Sequence, residues 1–530
     1  MSRALARHAS TVSALTAASR VLGLVREQVF LALFGAGGSI LSDAFLVANR
    51  IPNLFRDLFA EGALTAAFVP TFARVAEKHG EERAWRLGRS VATVVLCVVA
   101  ALCVGGMVSA PRVVDAIAGA GGFGDLPGKL ELTVRMTRVL WPYLLFASLA
   151  AVWAGMLNAR GRFNAPALAP MMLSVASLGI GVPLAYVLDP AFGPRAIVGF
   201  AVGVLCGGFL QWAVLLLPLR REGFRYRPAL DLRDPDLLRV VALMAPAVVG
   251  VSATLVNVVV NTRFAAQLPN GSVTWLSAAF RLVQLPIGVF GVAVATVAIP
   301  TLSRETARDD LQAFRALLGR SIRLVLVLCV PSACGLVILA RPLVSAVFEH
   351  RAFGPADVTA TAGAVQFYAV GLAAYAMIKV LAPALYALGD TRRPAVVSLF
   401  SIGVNLGLSW ALAVKFGFAH RGLAMSVSAV ALTNAALLTL VMRRHLGSYL
   451  RAEVLGPGLR IAVAAAAMSA VCLAVRHWAS AWLGASLLGD IGTLTAAVSM
   501  SVATFAFVAR ALRVAEADEL IAAVASRLRR

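Results

Sequence analysis

The sequence predicts an all-α integral membrane protein with 14 transmembrane helices, arranged as two six-helix lobes related by a parallel pseudo-two-fold axis plus two C-terminal helices. Three observations lead to this prediction. The 530 residues are 60% hydrophobic and form apolar blocks about as long as a membrane span. The loops between the blocks alternate between rich and poor in arginine. Finally, short motifs of the first half recur in the second half at a nearly constant offset.

The apolar blocks set the number of spans. Only 14% of the residues are charged, about half the share of an ordinary soluble domain, and such a chain needs lipid as the solvent of its outer face. Each span must be helical, because an open strand in lipid leaves its backbone groups unpaired. The spans are predicted near 11–35, 41–73, 90–109, 134–158, 166–188, 196–218, 237–266, 272–302, 321–347, 356–388, 394–415, 421–442, 457–476 and 487–510.

The distribution of basic residues predicts the orientation. With the N-terminus in the cytoplasm, 31 lysines and arginines fall on the cytoplasmic side, 9 on the opposite side and 8 inside the spans, which accounts for all 48. This asymmetry predicts a multi-pass protein with both termini in the cytoplasm. The net charge of +22 therefore follows the positive-inside pattern, and no nucleic-acid partner is expected.

Two halves of the chain resemble each other. The stretches LNARG (157–161) and LYALG (385–389) both continue to Pro-Ala, at an offset of 228 residues, and VPT (69–71) matches IPT (299–301) at 230. Six spans fit into this offset, so both copies have the same orientation in the membrane. We expect an N-lobe over 1–220, a C-lobe over 221–445, and the last two helices with a cytoplasmic tail over 446–530. Alternating access by rocking of the lobes follows as a hypothesis.

Charged residues inside the first two spans mark a candidate site. A charge in hydrocarbon costs about 2.5–3.5 kcal/mol or more, so these side chains should face each other and a wet cavity. Acidic residues among them also have a purely structural interpretation, in which they neutralise the arginines and hold helices together. The polar and charged positions are Ser19, Arg20, Arg26 and Glu27 in span 1, and Asp43, Asn49, Asn53, Arg56 and Glu61 in span 2.

Arg281 adds a charge in the second half. It lies in span 8, in a stretch whose carboxylates all fall in loops or at span edges. Arginine stays ionised and its planar fork binds phosphate oxygens in bidentate fashion. The arginines inside the spans therefore predict a cavity for an anionic, phosphorylated substrate.

Four stretches resemble a known family. They are SRVLGLVRE (19–27), SDAFLVANRIPNLFRDLFAEGALTAAFVP (42–70), LNARGRFNAPALAP (157–170) and FRLVQLPIGVFGVAVATVAIPTLS (280–303). They are similar to the MurJ (MviN) family of lipid II flippases, part of the multidrug/oligosaccharidyl-lipid/polysaccharide exporter superfamily. The resemblance implies transport of the undecaprenyl-pyrophosphate-linked disaccharide-pentapeptide, lipid II, from the inner to the outer leaflet of the bacterial cytoplasmic (inner) membrane, for peptidoglycan synthesis.

The resemblance also implies roles for single residues. The essential cavity arginines of the family map onto Arg20, Arg26, Arg56 and Arg281, and its first-lobe acids onto Glu27, Asp43 and Glu61. Ser19, Asn49 and Asn53 complete the expected polar lining. Spans 13 and 14 correspond to helices whose groove is thought to take the polyprenyl tail. No catalytic residue, cofactor or metal is expected.

Two departures from the family pattern stand out. Phe280 occupies the position before Arg281 where the family often has an acid. Some members bind sodium with a carboxylate one turn after an asparagine in helix 11, whereas here Asn405 is followed at that spacing by Ser409. Sodium coupling is therefore not expected.

The sequence leaves three alternative functions. A flippase for another lipid-linked oligosaccharide of the O-antigen type, or a drug exporter of the same superfamily, would usually stop at twelve spans. A membrane enzyme would need a metal-binding acidic pair or a catalytic histidine, but all six histidines fall in loops or at span edges. A scaffold for the cell-wall synthesis machinery remains open as an added role. The expected partners are lipid II and membrane lipids.

Overall fold

The protein is described by a computed structural model over residues 3–58, 64–119, 121–447, 451–483 and 487–528, and every regular element in these ranges is helical. This confirms the predicted all-α class. The helices are α1 (Arg3–Phe34), α2 (Leu41–Arg56), α3 (Thr65–His79), α4 (Glu81–Ala118), α5 (Lys129–Ala159), α6 (Asn164–Ala176), α7 (Val182–Leu188), α8 (Pro194–Arg221), α9 (Pro235–Ala266), α10 (Ser272–Pro286), α11 (Val292–Ala307), α12 (Leu311–Ile338), α13 (Ala340–Phe348), α14 (Pro355–Val370), α15 (Leu372–Ala387), α16 (Arg392–Ser409), α17 (Ala419–Leu446), α18 (Gly456–Leu483), α19 (Leu487–Ala511) and α20 (Ala515–Leu528).

Many of these helices can cross a membrane. Within the described ranges, ten helical stretches are long and apolar enough, and the pair α14–α15, bent by 42°, makes an eleventh if it is one span. These eleven correspond to predicted spans 3–6 and 8–14. Spans 1, 2 and 7 correspond to α1, to α2 with α3, and to α9. The charged residues of α1 and α2 lower the apolar character of those helices, and the full number of fourteen stays a prediction.

The first compact unit comprises residues 1–274 together with 350–353. Its central helix, α5, packs against α2, α4 and α8 through a core that includes Phe72, Trp153 and Met156. The path α6–α7 crosses α8 with backbone against backbone, because a Cβ added at Gly203 would lie 2.2 Å from the Cα of Gly181. Small residues at such crossings let membrane helices approach closely, as expected where packing rather than water exclusion drives association.

The second compact unit comprises residues 275–349 and 354–530. In it α12 packs against α15 and α18, α15 against α17, and α18 against α19. Arg323 of α12 donates to Glu453, at 3.1 Å, and to Glu516 of α20, at 2.5 Å. Arg320 adds a bond to Glu519 at 2.7 Å. These ion pairs attach the last helix, α20, to the helices of its unit.

The repeated L-x-A-x-G motif has the same local structure in both copies. Each glycine has a left-handed backbone, with φ +74° at Gly161 and +79° at Gly389. In each copy the next N–H donates to the leucine carbonyl five residues back, at 2.9 Å in the first copy and 3.0 Å in the second. This is the glycine-ended helix terminus in which only a residue without a Cβ avoids strain. The motif therefore encodes the end of a helix twice.

Within the described ranges, three complete π-helical turns fall inside predicted spans, and single π-helical residues also occur at 57–58 and 64 in span 2. The complete turns lie at Ser177–Gly181 between α6 and α7, at Ile287–Gly291 between α10 and α11, and at Trp410–Lys415 after α16. Such turns are rare and concentrate at functional sites. The first and third fall in predicted spans 5 and 11, which are equivalent under the six-span repeat. This agreement supports the internal repeat.

Candidate functional site

The motif SRVLGLVRE lies entirely within α1. Arg20 and Glu27, seven residues apart, share one face of the helix. Along that face the burial increases: Arg20 is exposed, whereas Glu27 is only 6% exposed. Ser19 and Arg26 are half-buried. The first predicted site segment therefore forms one face of a single helix.

The second segment lies on α2. Asn49, Asn53 and Arg56 are half-buried, while neighbours on the other face, such as Val47 and Ile51, are fully buried. The predicted polar residues of this helix are therefore less buried than these two apolar neighbours. The Asn53 side-chain N–H donates to the Asn49 carbonyl at 2.7 Å, next to Pro52, which lies inside the helix. Glu61 falls outside the described residues.

Arg56 is held on two sides. Its Nε and Nη2 donate to Asp57 Oδ1, at 3.2 and 2.8 Å, and its Nη1 donates to the Tyr143 hydroxyl at 3.0 Å. The Arg56 side chain is 23% exposed, and Tyr143 is 1% exposed in the core of the first unit. These contacts fix the direction of the guanidinium group.

Tyr143 is a site-associated residue that sequence reasoning missed. It lies in an apolar stretch of α5, where the sequence indicates only an ordinary core residue. A Cβ at Gly208 of α8 would lie 2.5 Å from the tyrosine ring. Gly208 therefore makes room for the ring that brings the hydroxyl to Arg56, and neither residue carries a motif that would reveal the pairing.

Asp43 has a different environment from the arginines. Its carboxylate is buried and accepts from Lys129 Nζ at 3.1 Å. It also accepts from the backbone N–H groups of Gly271 and Thr274, at 2.8 and 2.9 Å, and from the Thr274 hydroxyl at 2.6 Å. Lys129, itself 1% exposed, donates further to Asn270 at 2.6 Å. This network joins α2 and α5 to the loop before α10 and to the first turn of α10.

Lys129 was also missed as a partner. The sequence places it in a loop on the side opposite the cytoplasm, where a solvated lysine is expected. Its ammonium instead lies over the Phe123 ring, 4.0 Å from the centroid, as well as on Asp43. No local spacing links residues 43 and 129, so the pairing depends on tertiary structure.

Arg281 lies on α10 in the second unit and is half-buried. The preceding residue, Phe280, packs its ring against Tyr368 and Tyr375, at centroid distances of 5.3 and 6.4 Å. The position where the family often has an acid is thus part of an aromatic cluster here. Arg20, Arg26 and Arg56 belong to the first unit.

A neutral polar cluster surrounds Asn405, the position at which the resemblance would place a sodium ligand. Ser409 Oγ lies 3.3 Å from Asn405 Oδ1 and 3.0 Å from Ser426 Oγ, and all three residues are buried. None of these side chains carries a charge, so the set lacks the carboxylate that the resemblance implies for a sodium site. Elsewhere in the described ranges, no group of three or more His, Cys, Asp or Glu side chains could hold a metal ion.

Sequence comparisons relate nearly the whole chain to known proteins. The family described as "Lipid II flippase MurJ" matches residues 31–491. A "Probable lipid II flippase MurJ" from Vibrio cholerae is 33% identical over 513 residues, covering 95% of each chain. A "Lipid II flippase MurJ" from Burkholderia cenocepacia is 35% identical over 474 residues, covering 88% of this chain and 89% of the relative.

Solved structures share the fold. The inward closed conformation of a lipid II flippase MurJ matches with a TM-score of 0.76 at 21% identity, over 94% of this chain and 99% of that one. An inward-facing MATE family transporter of the MOP superfamily matches with a TM-score of 0.63 at 15% identity, over 83% and 95%. The family match and the many apolar helices together define a multi-pass membrane transporter rather than an enzyme. Within that class, the chain belongs to the MurJ family of lipid II flippases.

The contact between Arg56 and Tyr143 can be tested by removing a single atom, the hydroxyl oxygen of the tyrosine. Tyr143→Phe keeps the ring and removes the acceptor, so Arg56 loses one of its orienting bonds. A hydrogen bond to a charged group contributes about 1.5–3 kcal/mol, and we expect lipid II flipping in proteoliposomes to fall on the order of tenfold in a variant that is still folded. Tyr186→Phe, at an exposed tyrosine, is the control. Parental flipping by Tyr143→Phe would show that the hydroxyl does not matter.

The buried pair of Asp43 and Lys129 predicts a stability effect. Asp43→Asn leaves the ammonium buried without its counter-charge, which should cost roughly 3–5 kcal/mol. Adding Lys129→Met should restore part of the loss, because the pair is then removed as a whole. Thermal unfolding in detergent measures both variants, with Asp115→Asn at an exposed position as the control. Equal unfolding temperatures for Asp43→Asn and the control would contradict the structural role.

Proposed function

We propose that this protein moves lipid II from the inner to the outer leaflet of the bacterial cytoplasmic (inner) membrane. The observation that carries the proposal is the family match over residues 31–491, which includes the charged segments of α2 and α10. The charged residues of α1 supply the physical reason that the substrate is an anion. A pyrophosphate-linked head group needs cationic partners while it crosses hydrocarbon, and arginines inside spans provide them.

Recognition of the pyrophosphate is assigned to Arg20, Arg26, Arg56 and Arg281, lining one solvated cavity at different depths. Arginine is suited to this role because its fork binds two phosphate oxygens at once. The graded exposure along α1, from exposed Arg20 to half-buried Arg26, supports binding at more than one depth. The supporting polar and acidic residues are Ser19, Glu27, Asp43, Asn49, Asn53 and Glu61.

Transport is proposed to proceed by alternating access of two lobes, with the N-lobe over 1–220 and the C-lobe over 221–445. The helix ends and π-turns that recur at equivalent places support two structurally related halves. The surplus of arginine in alternate loops supports cytoplasmic termini. Contacts with the cell-wall synthesis machinery belong to the same proposal.

The alternative is a flippase for another lipid-linked oligosaccharide or a drug exporter. The likeness to a MATE transporter at 15% identity concerns the fold alone. A flipping assay with labelled lipid II in liposomes, with and without an imposed membrane potential, distinguishes these substrates. Transport of an O-antigen precursor or a drug in place of lipid II would overturn the proposal.

The polyprenyl tail needs a separate path. Burying each methylene is worth about 0.8 kcal/mol, so the chain should remain in lipid or in an apolar groove while the head group crosses. We assign the groove to α18 and α19, which pack closely on each other and are rich in alanine and serine. Small residues permit close helix contact or a shallow trough. The alternative role of spans 13 and 14 is that of peripheral anchors. Tryptophan substitutions on α19 distinguish a tail groove from an anchor.

One prediction of this proposal concerns the planar guanidinium fork of arginine. Arg26→Lys and Arg281→Lys keep the charge but lose bidentate binding, so each variant should insert normally and lose most or all function. Complementation of a strain depleted of its flippase, together with membrane protein levels, measures this. Arg221→Lys, at an exposed helix end, is the matched control. Normal growth with both site variants would contradict bidentate phosphate recognition. It would mean that these positions need only a positive charge.

Another prediction of this proposal concerns the groove for the polyprenyl tail. On α19, Ile491, Val498 and Val502 are exposed on one flank, and Met500 is exposed on the opposite flank. Tryptophan on the flank that forms the groove should obstruct the tail and slow flipping, whereas tryptophan on the other flank should not. Expression and lipid II flipping are measured for single substitutions on each flank. Parental flipping rates for both sets would show that this helix is not the tail's path.

A further inference from the structure

A cleft of about 750 Å³ opens in the second unit where two predicted spans end. It lies between the loop after α15, the start of α16 and the end of α17. Its lining combines aliphatic and charged side chains: Leu388, Gly389, Asp390, Arg392, Arg393, Val396, Val397, Leu437, Leu440, Val441, Arg444 and His445. None of these residues belongs to the proposed lipid II site.

One side of the cleft is apolar and continues onto the lipid-facing surface. Val396 of α16 and Leu440 of α17 line it and are 60% and 51% exposed. Leu399, a turn further along α16, is 66% exposed. Both helices are long and apolar enough to span the membrane. A hydrocarbon chain could therefore pass from the cleft along these helices without meeting a polar group of the lining.

The mouth of the cleft is basic. Arg392 and Arg393 stand at the first turn of α16, and Arg444 and His445 at the last turn of α17. Asp390 is the one carboxylate of the lining. Three arginines against one aspartate leave two net positive charges, with the histidine counted as neutral.

The negative charge of Asp390 is already compensated by two neighbouring side chains. Its carboxylate lies 3.1 Å from Arg393 Nη1 and 2.9 Å from His445 Nε2. Burial raises its pKa, but the hydrogen bonds with His445 and with the Arg393 backbone N–H, together with both charges, give a net pKa below the usual range. Asp390 therefore stays ionised and stabilises one side of the mouth. Among the described residues, Arg392 and Arg444 have no carboxylate partner.

The equivalent place in the first repeat copy differs. There Arg160 and Arg162 both bind Glu222, with Nε–O distances of 3.4 and 2.7 Å, and Arg160 also binds Glu81 at 2.5 Å. The side-chain hydrogen bond to Glu81 is the main cause of a raised pKa at Arg160. In that copy both arginines of the turn have an acidic partner, whereas in the second copy Arg392 has none among the described residues.

We propose that this cleft binds an anionic phospholipid of the surrounding bilayer, with its phosphate at Arg392 and Arg444 and an acyl chain along Val396 and Leu440. The ligand must be anionic because the mouth has surplus positive charge. It must be amphiphilic because the apolar wall continues from the mouth onto exposed membrane-spanning surface, where a basic pocket at helix ends suits a lipid head group. The site is separate from the proposed lipid II site.

The test compares lipids and variants. Purified protein in detergent is titrated with phosphatidylglycerol and with zwitterionic phosphatidylcholine, and bound lipid is counted by native mass spectrometry. We expect preferential binding of phosphatidylglycerol, weakened at least about tenfold by the double variant Arg392→Ala/Arg444→Ala, which removes two charge-assisted contacts. Arg443→Ala removes an exposed arginine next to the cleft and should bind like the parent protein. Unfolding temperatures verify that the variants are folded.

Two further measurements separate a lipid from a simple anion. Leu440→Asn leaves the basic mouth intact and should also weaken binding, because the acyl chain loses its apolar wall. Inorganic phosphate at millimolar concentration should not displace bound phosphatidylglycerol. Efficient displacement by phosphate, with no effect of Leu440→Asn, would show an anion site that does not recognise lipid. Unchanged lipid preference in the double variant, or in Arg444→Gln alone if the double variant unfolds, would overturn the proposal.

Discussion

The energetic cost of placing a charge in hydrocarbon governs most of this structure. An unpartnered ionised group inside a bilayer loses several kcal/mol relative to water, so each one must be paired, solvated or directed at a ligand. The structure shows paired and exposed groups, and we propose that the arginines are directed at a ligand. The pair of Asp43 and Lys129 is buried with its hydrogen bonds satisfied, Arg56 is held by an acid and a tyrosine, and Arg20 is exposed on its helix. The packing of the helices follows from where these groups can be accommodated.

The same constraint explains how much the sequence could reveal. Apolar blocks must be helices, so the all-α class followed from composition and the spans from block lengths. A charged residue in an apolar block is conspicuous, which is why the polar faces of α1 and α2 could be named in advance. The repeated glycine also had a local meaning, since a left-handed helix end favours glycine whatever surrounds it.

What could not be predicted depends on contacts between distant segments. Tyr143 has no local mark that distinguishes it from a core aromatic residue, and its role appears only when α2 and α5 are packed together. Lys129 had been expected in a solvated loop, because sequence gives no sign of the carboxylate 86 residues earlier. The π-turns also escaped prediction, since one inserted residue per turn leaves hydrophobic periodicity nearly unchanged.

The helix-end ion pairs of the two repeat copies have opposite polarity. In the first copy the turn supplies arginines and the facing helix end supplies Glu222; in the second the turn supplies Asp390 and the facing end supplies His445. During insertion, two hairpins of the same shape could each dock on the wrong partner helix. At the end of α17 the arginines of the first turn would lose their acidic partner Glu222 and would meet Arg443, Arg444 and His445 instead. Matching shapes with reversed charges thus give a duplicated chain a way to assemble each half with its own helices.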